Sequence, residues 1–311
     1  MKKYLLPEGC KAYKANLHCH STFSDGRFDV AKLKEGYLER GYSVIAYSDH
    51  NTLLPHPELR SDDFVPLTAI EIDINGPKGH TYHLNFFSPD PDRSEFPPID
   101  RVYGPEGVNK VIAAGNEAGF LCQYNHPRWS FQNAEEYTGL RGLWGFEVFN
   151  TGCEVEMHDG WGDYEYEVMC RDGEELPCAT ATDDNHNWSL DFNSPYNDSF
   201  GGWTTFFAPS LSYDSVFNAL KAGNCYATTG PEIKGMYVED GKLFVDCTPA
   251  TSVCIRFETR RSANVKSLND DIEHAEFDVS GDFCHFRIEV KDSHGRKAMS
   301  RAYSMDEILK D

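Results

Sequence analysis

The sequence predicts an α/β fold built on a largely parallel sheet, closed or nearly closed into a barrel and followed by a small antiparallel β-domain. Three observations carry this. From residue 14 to about 228, strand-like runs alternate with helix-like ones in about seven units. His, Asp and Glu recur at the ends of those strands, where α/β enzymes place their chemistry. Beyond residue 230 the helical pattern gives way to short β-rich runs separated by turn signals.

Taken in order, a strand over 14–19 leads to a helix from 29 to about 40, with Asp29 as N-cap and Gly41 as stop. The apolar run 43–47 reads as a buried parallel strand ending at His50. Strands follow over 65–72 and 82–87, then a helix over 105–118 with Gly119 after it. A strand over 120–125 ends in His126-Pro127. Another covers 145–150, a helix 165–176, and a strand 178–182 that ends in Asp183-Asp184-Asn185-His186. A strand over 202–208 and a helix over 213–222 complete the alternation, which stops at Thr228-Thr229-Gly230-Pro231. The β-rich runs beyond are 234–239, 242–247, 253–259, 276–279, 285–290 and 298–303. Residues 1–230 are therefore read as one unit and 231–311 as a second.

Composition narrows the function. With 29 Lys and Arg against 50 Asp and Glu, the formal net charge is −21. That argues against a broad basic face for nucleic acid and discourages anionic membranes. It leaves room for a small anionic substrate, because bound metal ions reverse the local field. The ten Cys show no C-x-x-C spacing and no disulfide framework, the pattern of reduced thiols in a cytoplasmic protein. Lys2-Lys3 is followed at once by Tyr4-Leu5-Leu6-Pro7, so no signal peptide is expected, and no run reaches membrane-spanning length.

The chemistry is concentrated in His18-Cys19-His20. Two His at i and i+2 on a strand share one face. Asp184-x-His186 repeats that spacing, and Asp25, His50, Glu71, His83 and His126 are the other candidate ligands. Nine N and O donors exceed the needs of one ion, and Glu71 is the obvious bridge between two. Their mix suits zinc, iron or manganese.

These residues resemble the PHP family, the polymerase-and-histidinol-phosphatase superfamily of metal-dependent phosphoesterases. The matching segments are Asn16-Leu17-His18-Cys19-His20-Ser21-Thr22-Phe23-Ser24-Asp25-Gly26, Ser48-Asp49-His50-Asn51-Thr52, Ala69-Ile70-Glu71-Ile72, Asn125-His126-Pro127-Arg128 and Asp184-Asn185-His186, in that order. The resemblance spans about residues 14–228 and implies a distorted seven-stranded (β/α) barrel of PHP type with two or three divalent ions. It implies a first ion on His18, His20, Glu71 and Asp184, a second on Glu71, His83 and His126, and a third on Asp25, His50 and His186. His80 competes with His83, and Asp183 with Asp184. The end, Tyr226-Ala227-Thr228-Thr229-Gly230-Pro231 and beyond, resembles stand-alone PHP proteins with a small C-terminal β-domain.

The implied activity is hydrolysis of a small phosphomonoester, nucleotide-like or similar, by hydroxide generated at the two- or three-metal site. Arg128 is the candidate for contact with the phosphoryl oxygens, and His80 for protonating the leaving group. Alternatives are hydrolysis of a carbon-centred ester, amide or carbamate, and histidinol phosphatase activity. An exonuclease is disfavoured by charge, and a non-catalytic metal-binding scaffold by the size of the ligand set. Trp129, Phe131, Trp161, Trp188 and Trp203 fall near strand ends, where an aromatic side chain either packs in the core or stacks on substrate. Residues 154–162 read as a lid or a solvated connection.

Overall fold

A computed structural model describes residues 2–258 and 260–309. In chain order the first half consists of β1 (Lys3–Tyr4), β2 (Lys11–Cys19), α1 (Val30–Leu38), β3 (Tyr42–Tyr47), β4 (Val65–Asn75), β5 (Thr81–Phe87), α2 (Pro105–Glu117), β6 (Leu121–Tyr124) and α3 (Ala134–Tyr137). Next are β7 (Gly145–Asn150), α4 (Thr151–Met157), α5 (Asp163–Asp172), β8 (Cys178–Thr182), β9 (Trp203–Ala208), α6 (Tyr213–Lys221) and β10 (Cys225–Thr228). The last part is β11 (Ile233–Glu239), β12 (Lys242–Ala250), β13 (Ser252–Phe257), β14 (Ser262–Lys266), β15 (Ile272–Asp278), β16 (His285–Lys291), β17 (Lys297–Ser300), β18 (Tyr303–Ser304) and α7 (Met305–Leu309). Thr259, the last residue of the predicted 253–259 run, lies outside the described residues. No helix among the described residues is long and apolar enough to cross a membrane.

Local chemistry sets the helix ends. The Asp29 carboxylate accepts from the Lys32 N–H at 2.8 Å and caps α1. Asn150 caps α4 through the Cys153 N–H at 2.8 Å. Gly41, the expected stop of the first helix, has φ +76°, a left-handed conformation that glycine adopts without a Cβ penalty. On α2, Val108, Val111, Ile112 and Gly115 are buried at i, i+3, i+4 and i+7, one face against the sheet.

The strands join into one large sheet in the order β14-β13-β16-β17-β10-β9-β2-β3-β4-β5-β6-β7-β8, and a second small sheet, β1-β11-β12-β15. The large sheet is mixed rather than largely parallel. β2-β3-β4 and β6-β7-β8 are parallel, but β5 runs antiparallel to both β4 and β6. The link from β4 to β5 is too short for a crossover helix, so it returns as a hairpin. Nor does the sheet close into the expected barrel. Both edges of β9 are occupied, by β2 and β10, which leaves β8 no ladder partner on that side. The seam is spanned instead by Thr204, whose hydroxyl donates to Ala181 O at 3.0 Å and accepts from Ala181 N–H at 3.2 Å, and by a bridge between Cys19 and Asn185.

One apolar cluster packs α2 and α5 against β4–β8, and others line the remaining helices. A further cluster, with Val245, Val253, Ile288 and Val290 at its centre, fills the C-terminal β-layers and takes in Leu5 and Leu6 from the N-terminus. The antiparallel C-terminal strands are present as read from the sequence, with β14 added. β17 pairs with β10, so β13, β14, β16 and β17 continue the large sheet without a break, while β11, β12 and β15 belong to the small one.

Candidate metal centre

The structure brings all nine predicted ligands to one end of the sheet. His18 is the last residue but one of β2 and His20 follows the strand; His50 follows β3; His126 follows β6; Asp184 and His186 follow β8. Glu71 and His83 lie within β4 and β5. Because β5 is antiparallel, its first residues sit beside the last ones of its neighbours, and His83 pairs in register with Asp73, two residues beyond Glu71. His126 and Asp184 hold φ of +24° and +51°, left-handed backbone that non-glycine residues adopt mainly where a site requires it. Gly26 closes the first loop because a Cβ there would lie 2.5 Å from His20 O.

Four groups of donor atoms form, three of them built from the predicted ligands and a fourth from His18, His126 and Glu147. His18 Nε2 lies 3.2 Å from Glu71 Oε1 and 3.1 Å from Asp184 Oδ1; His20 Nε2 lies 3.3 Å from Glu71 Oε2 and 3.0 Å from Asp184 Oδ1. His83 Nδ1 and His126 Nε2 lie 3.1 Å and 3.7 Å from Glu71 Oε1. Asp25 Oδ2 lies 3.4 Å from His186 Nε2 and 3.9 Å from His50 Nε2. In each group, one donor atom per residue lies within 4.8 Å of the others.

These distances fit an ion at the centre of each of the three predicted groups. Bonds of about 2.0–2.2 Å in tetrahedral geometry set ligand atoms about 3.3 Å apart. Glu71 Oε2, Asp184 Oδ1, His50 Nδ1 and His126 Nδ1 are buried with no hydrogen-bond partner. Orphaned polar atoms of that kind are costly unless something else satisfies them, and a cation meets the carboxylate oxygens.

Electrostatics point the same way. Burial alone would strip the proton from His20, but Asp184 and Glu71 outweigh it and hold its pKa up at about 10. Burial likewise opposes charge on Glu71, yet His18, His83 and His126 keep its carboxyl well below the usual range. Burial raises Asp25 less than His186, His20 and His50 lower it. The cluster thus stores negative charge and holds protons where an ion would displace them.

Between the competing pairs, geometry separates the partners. Asp183 is saturated, accepting from Tyr37 at 2.8 Å, Thr151 at 2.7 Å and the Phe200 and Gly201 N–H groups, while Asp184 faces His18 and His20. His80 Nδ1 lies 3.5 Å from Glu136, whereas His83 meets Glu71.

A cavity of about 440 Å³ opens over the cluster, walled by Trp129, Cys153, Val155, Glu156, Trp188 and Tyr196. No Lys or Arg lines it among the described residues. The predicted catalytic pair is not brought there. Arg128 makes a bidentate bridge to Glu165 at 3.2 and 3.0 Å, and His80 sits beside Glu136. Trp161 packs on Phe149, Trp203 on Tyr42, and Phe131 is exposed. Residues 154–162 are neither wholly lid nor wholly connection: α4 supplies Val155 and Glu156 to the cavity wall, and Trp161 bridges to Phe149.

Sequence reasoning missed Glu147. Its Oε1 lies 2.9 Å from His18 Nδ1, and its Oε2 accepts from the His126 N–H at 3.0 Å and from Asn150 at 2.9 Å. It orients the His18 imidazole from behind and anchors the backbone at His126. The available signal was a carboxylate inside the apolar run Gly145-Phe146-Glu147-Val148-Phe149, where burial demands partners. Glu147→Gln is expected to weaken metal affinity about 10–100-fold with little change in melting temperature; unaltered affinity in a competition titration would rule out this orienting role.

No family model matches the chain. Over 97% of its length, and 97% of the other chain, it superposes on a two-domain protein containing a predicted PHP-like metal-dependent phosphoesterase from Bacteroides vulgatus ATCC 8482, with a TM-score of 0.53 and 15% identity. The chain has a PHP-like fold. The order of its sequence segments implied that fold, and its mixed sheet is the form the fold takes here. Over 60 residues, 19% of the chain, it is also 35% identical to the DNA polymerase/3′-5′ exonuclease PolX of Bacillus subtilis (strain 168), of which it spans 10%.

Proposed function

We propose that this chain is a metal-dependent phosphoesterase acting on a small phosphomonoester. The observation that carries the reading is the convergence of nine His, Asp and Glu side chains on a largely buried cluster in which Glu71 Oε2 and Asp184 Oδ1 have no hydrogen-bond partner. The PHP-like fold of the similar Bacteroides protein supports it. In this reading His18, His20, Glu71 and Asp184 hold one divalent ion, Glu71, His83 and His126 a second, and Asp25, His50 and His186 a third. Zinc, iron and manganese all suit this donor set. Bound there, such ions supply Lewis acidity and lower the pKa of water toward neutrality.

The protein's own part is positional. Glu71 is shared between two groups and sets their spacing. Glu147 fixes the rotation of His18. Trp129 and Trp188 wall the space for the leaving group. Arg128 reaches a phosphoryl group only by exchanging its bridge to Glu165, and His80 serves as general acid only after leaving Glu136. We read the curved wall from β9 round to β8 as a PHP-type barrel open at one seam, residues 1–230 as the hydrolase unit and 231–311 as the β-unit. The many buried free thiols favour a reducing, cytoplasmic setting.

The test is phosphate release by manganese-loaded protein from 5′-nucleotides, a 3′,5′-bisphosphonucleotide, histidinol phosphate and sugar phosphates. Release from one compound is expected. One observation favours a second reading: with no cation in its wall, the cavity also fits a neutral ester, amide or carbamate. Silence across the phosphate panel from metal-loaded protein, with turnover of a carboxylic ester, would establish that alternative instead.

A further inference from the structure

A second charged feature lies on the C-terminal β-unit and shares no residue with the cavity over the metal cluster. A groove of about 220 Å³ is lined by Arg256, Arg260, Arg261, Lys266 and Lys291, with Glu289 as its one carboxylate. Five cations against one acid is a sharp local reversal in a chain of net charge −21. The sheet geometry produces it. Along β13, Val253, Ile255 and Phe257 enter the apolar core, so Ser252, Cys254 and Arg256 face the other way. In register beside them stand Lys266, Asn264 and Ser262 of β14, and Lys291 and Glu289 of β16.

Little of this positive charge is spent within the protein. Arg256 lies 3.7 Å from both Glu167 and Glu289, but the buried Arg287 already binds those two carboxylates. Arg261 donates to Asp282 O at 2.7 Å and lies 3.9 Å from Glu258. Arg260, Lys266 and Lys291 are exposed and make no ion pair among the described residues. Such crowding of like charge is unfavourable unless an anion relieves it.

We propose that this groove binds an oligophosphate. Lys266 and Lys291 flank Ser252 at one end, and the arginines gather around Arg256 at the other, four residues on, a span of about 13 Å along the strand. A single phosphate cannot bridge that span, whereas a short chain of phosphoryl groups can. Guanidinium forks match phosphate oxygens in pairs. Ser252 and Ser262 add hydroxyl donors at the two ends, and between them Asn264 offers an amide donor on one side of Cys254, with Glu289 on the other. The groove spans only about four residues of strand, so the ligand is short. It is a nucleoside triphosphate or an inorganic polyphosphate, which share this chemistry.

The test is calorimetric titration of tripolyphosphate, and separately of a nucleoside triphosphate, into the full chain stripped of metal, where the catalytic cavity holds no cation to attract either. One-to-one binding that weakens with added salt is expected. The surface double variant Lys266→Gln/Lys291→Gln should weaken it about tenfold or more, and Arg260→Gln should do so independently. Equal affinity for the two probes would identify the phosphate chain alone as the ligand, and tighter nucleotide binding would identify the nucleotide. No binding, or binding that the groove variants leave unchanged, overturns the proposal. Phosphoesterase assays do not enter this test, so its failure leaves the proposed activity untouched.

Discussion

Glu71→Gln is expected to abolish phosphate release, by more than about 10³-fold in kcat, and to lower bound metal by two ions at once. The reason is its position. Its Oε1 faces His18, His83 and His126, and its Oε2 faces His20 and His50. It lies within 3.3 Å of nitrogens in all three predicted groups: His18 and His20, His83, and His50. Replacing one oxygen by an amide removes the charge both neighbouring ions need and puts N–H donors where a cation belongs. A 10³-fold loss corresponds to about 4 kcal/mol of barrier. The fold should survive, because Asn125, which donates to Glu71 Oε1 at 2.9 Å, can donate as well to an amide oxygen. The measurement is elemental analysis beside turnover, with melting temperature as control. Loss of a single ion with activity retained would show that Glu71 does not bridge. Loss of activity with full metal content would place its role in chemistry rather than in assembly.

Most of the candidate ligands were legible because they stand at a strand end or in a tight pair, where polar residues interrupt apolar runs: His18-x-His20, His50 after 43–47, Asp184-x-His186. Glu147 was not, because it lies in mid-strand and its partners come from residues 18, 126, 150 and 182, which only the folded sheet assembles. Asp198 was hidden in the same way; it holds the loop after β8 by accepting from the His186 and Asn187 N–H groups. Strand existence was legible from β-rich runs, but direction was not. The reversal of β5 follows from the short turn Gly76-Pro77-Lys78-Gly79-His80, whose Gly and Pro mark a turn without stating which way the chain returns. The open seam depends on which neighbour occupies each edge of β9, a non-local competition. Arg128 illustrates the limit of spacing arguments. It stands two residues from His126 as expected, but the left-handed backbone at His126 and the bend that follows turn its side chain to Glu165 on α5.

The second large effect concerns how the β-unit is held. Arg287 on β16 is only 2% exposed. Its Nε and Nη2 donate to Glu167 on α5 at 3.2 and 2.8 Å, and its Nη1 binds Glu289. Burial opposes its charge, but the two carboxylates outweigh that and raise its pKa. Around it, Lys297 binds Asp163 at 2.9 Å, and the Ala302 N–H donates to the Tyr166 hydroxyl at 3.0 Å. One face of α5 is thereby fastened to β16 and β17 by buried polar contacts rather than by a slippery apolar seam. Arg287→Met keeps most of the volume but leaves Glu167 and Glu289 with only the looser Arg256, 3.7 Å from each. Breaking a buried pair from one side costs about 3–5 kcal/mol, so a loss of about 3 kcal/mol is expected, after allowance for the partial exposure of both carboxylates. A single cooperative transition should persist, shifted down by several degrees. In the double variant Arg287→Met/Glu167→Gln the loss should be smaller than the sum of the two single losses, because the neutral amide no longer needs a cation. Metal content should not change, since none of these residues touches the cluster. A loss under about 1 kcal/mol in Arg287→Met would mean that Arg256, already 3.7 Å from both carboxylates, closes in and takes over. The seam would then be held by a shared pool of arginine charge, and withdrawing Arg256 from the basic groove would weaken oligophosphate binding there.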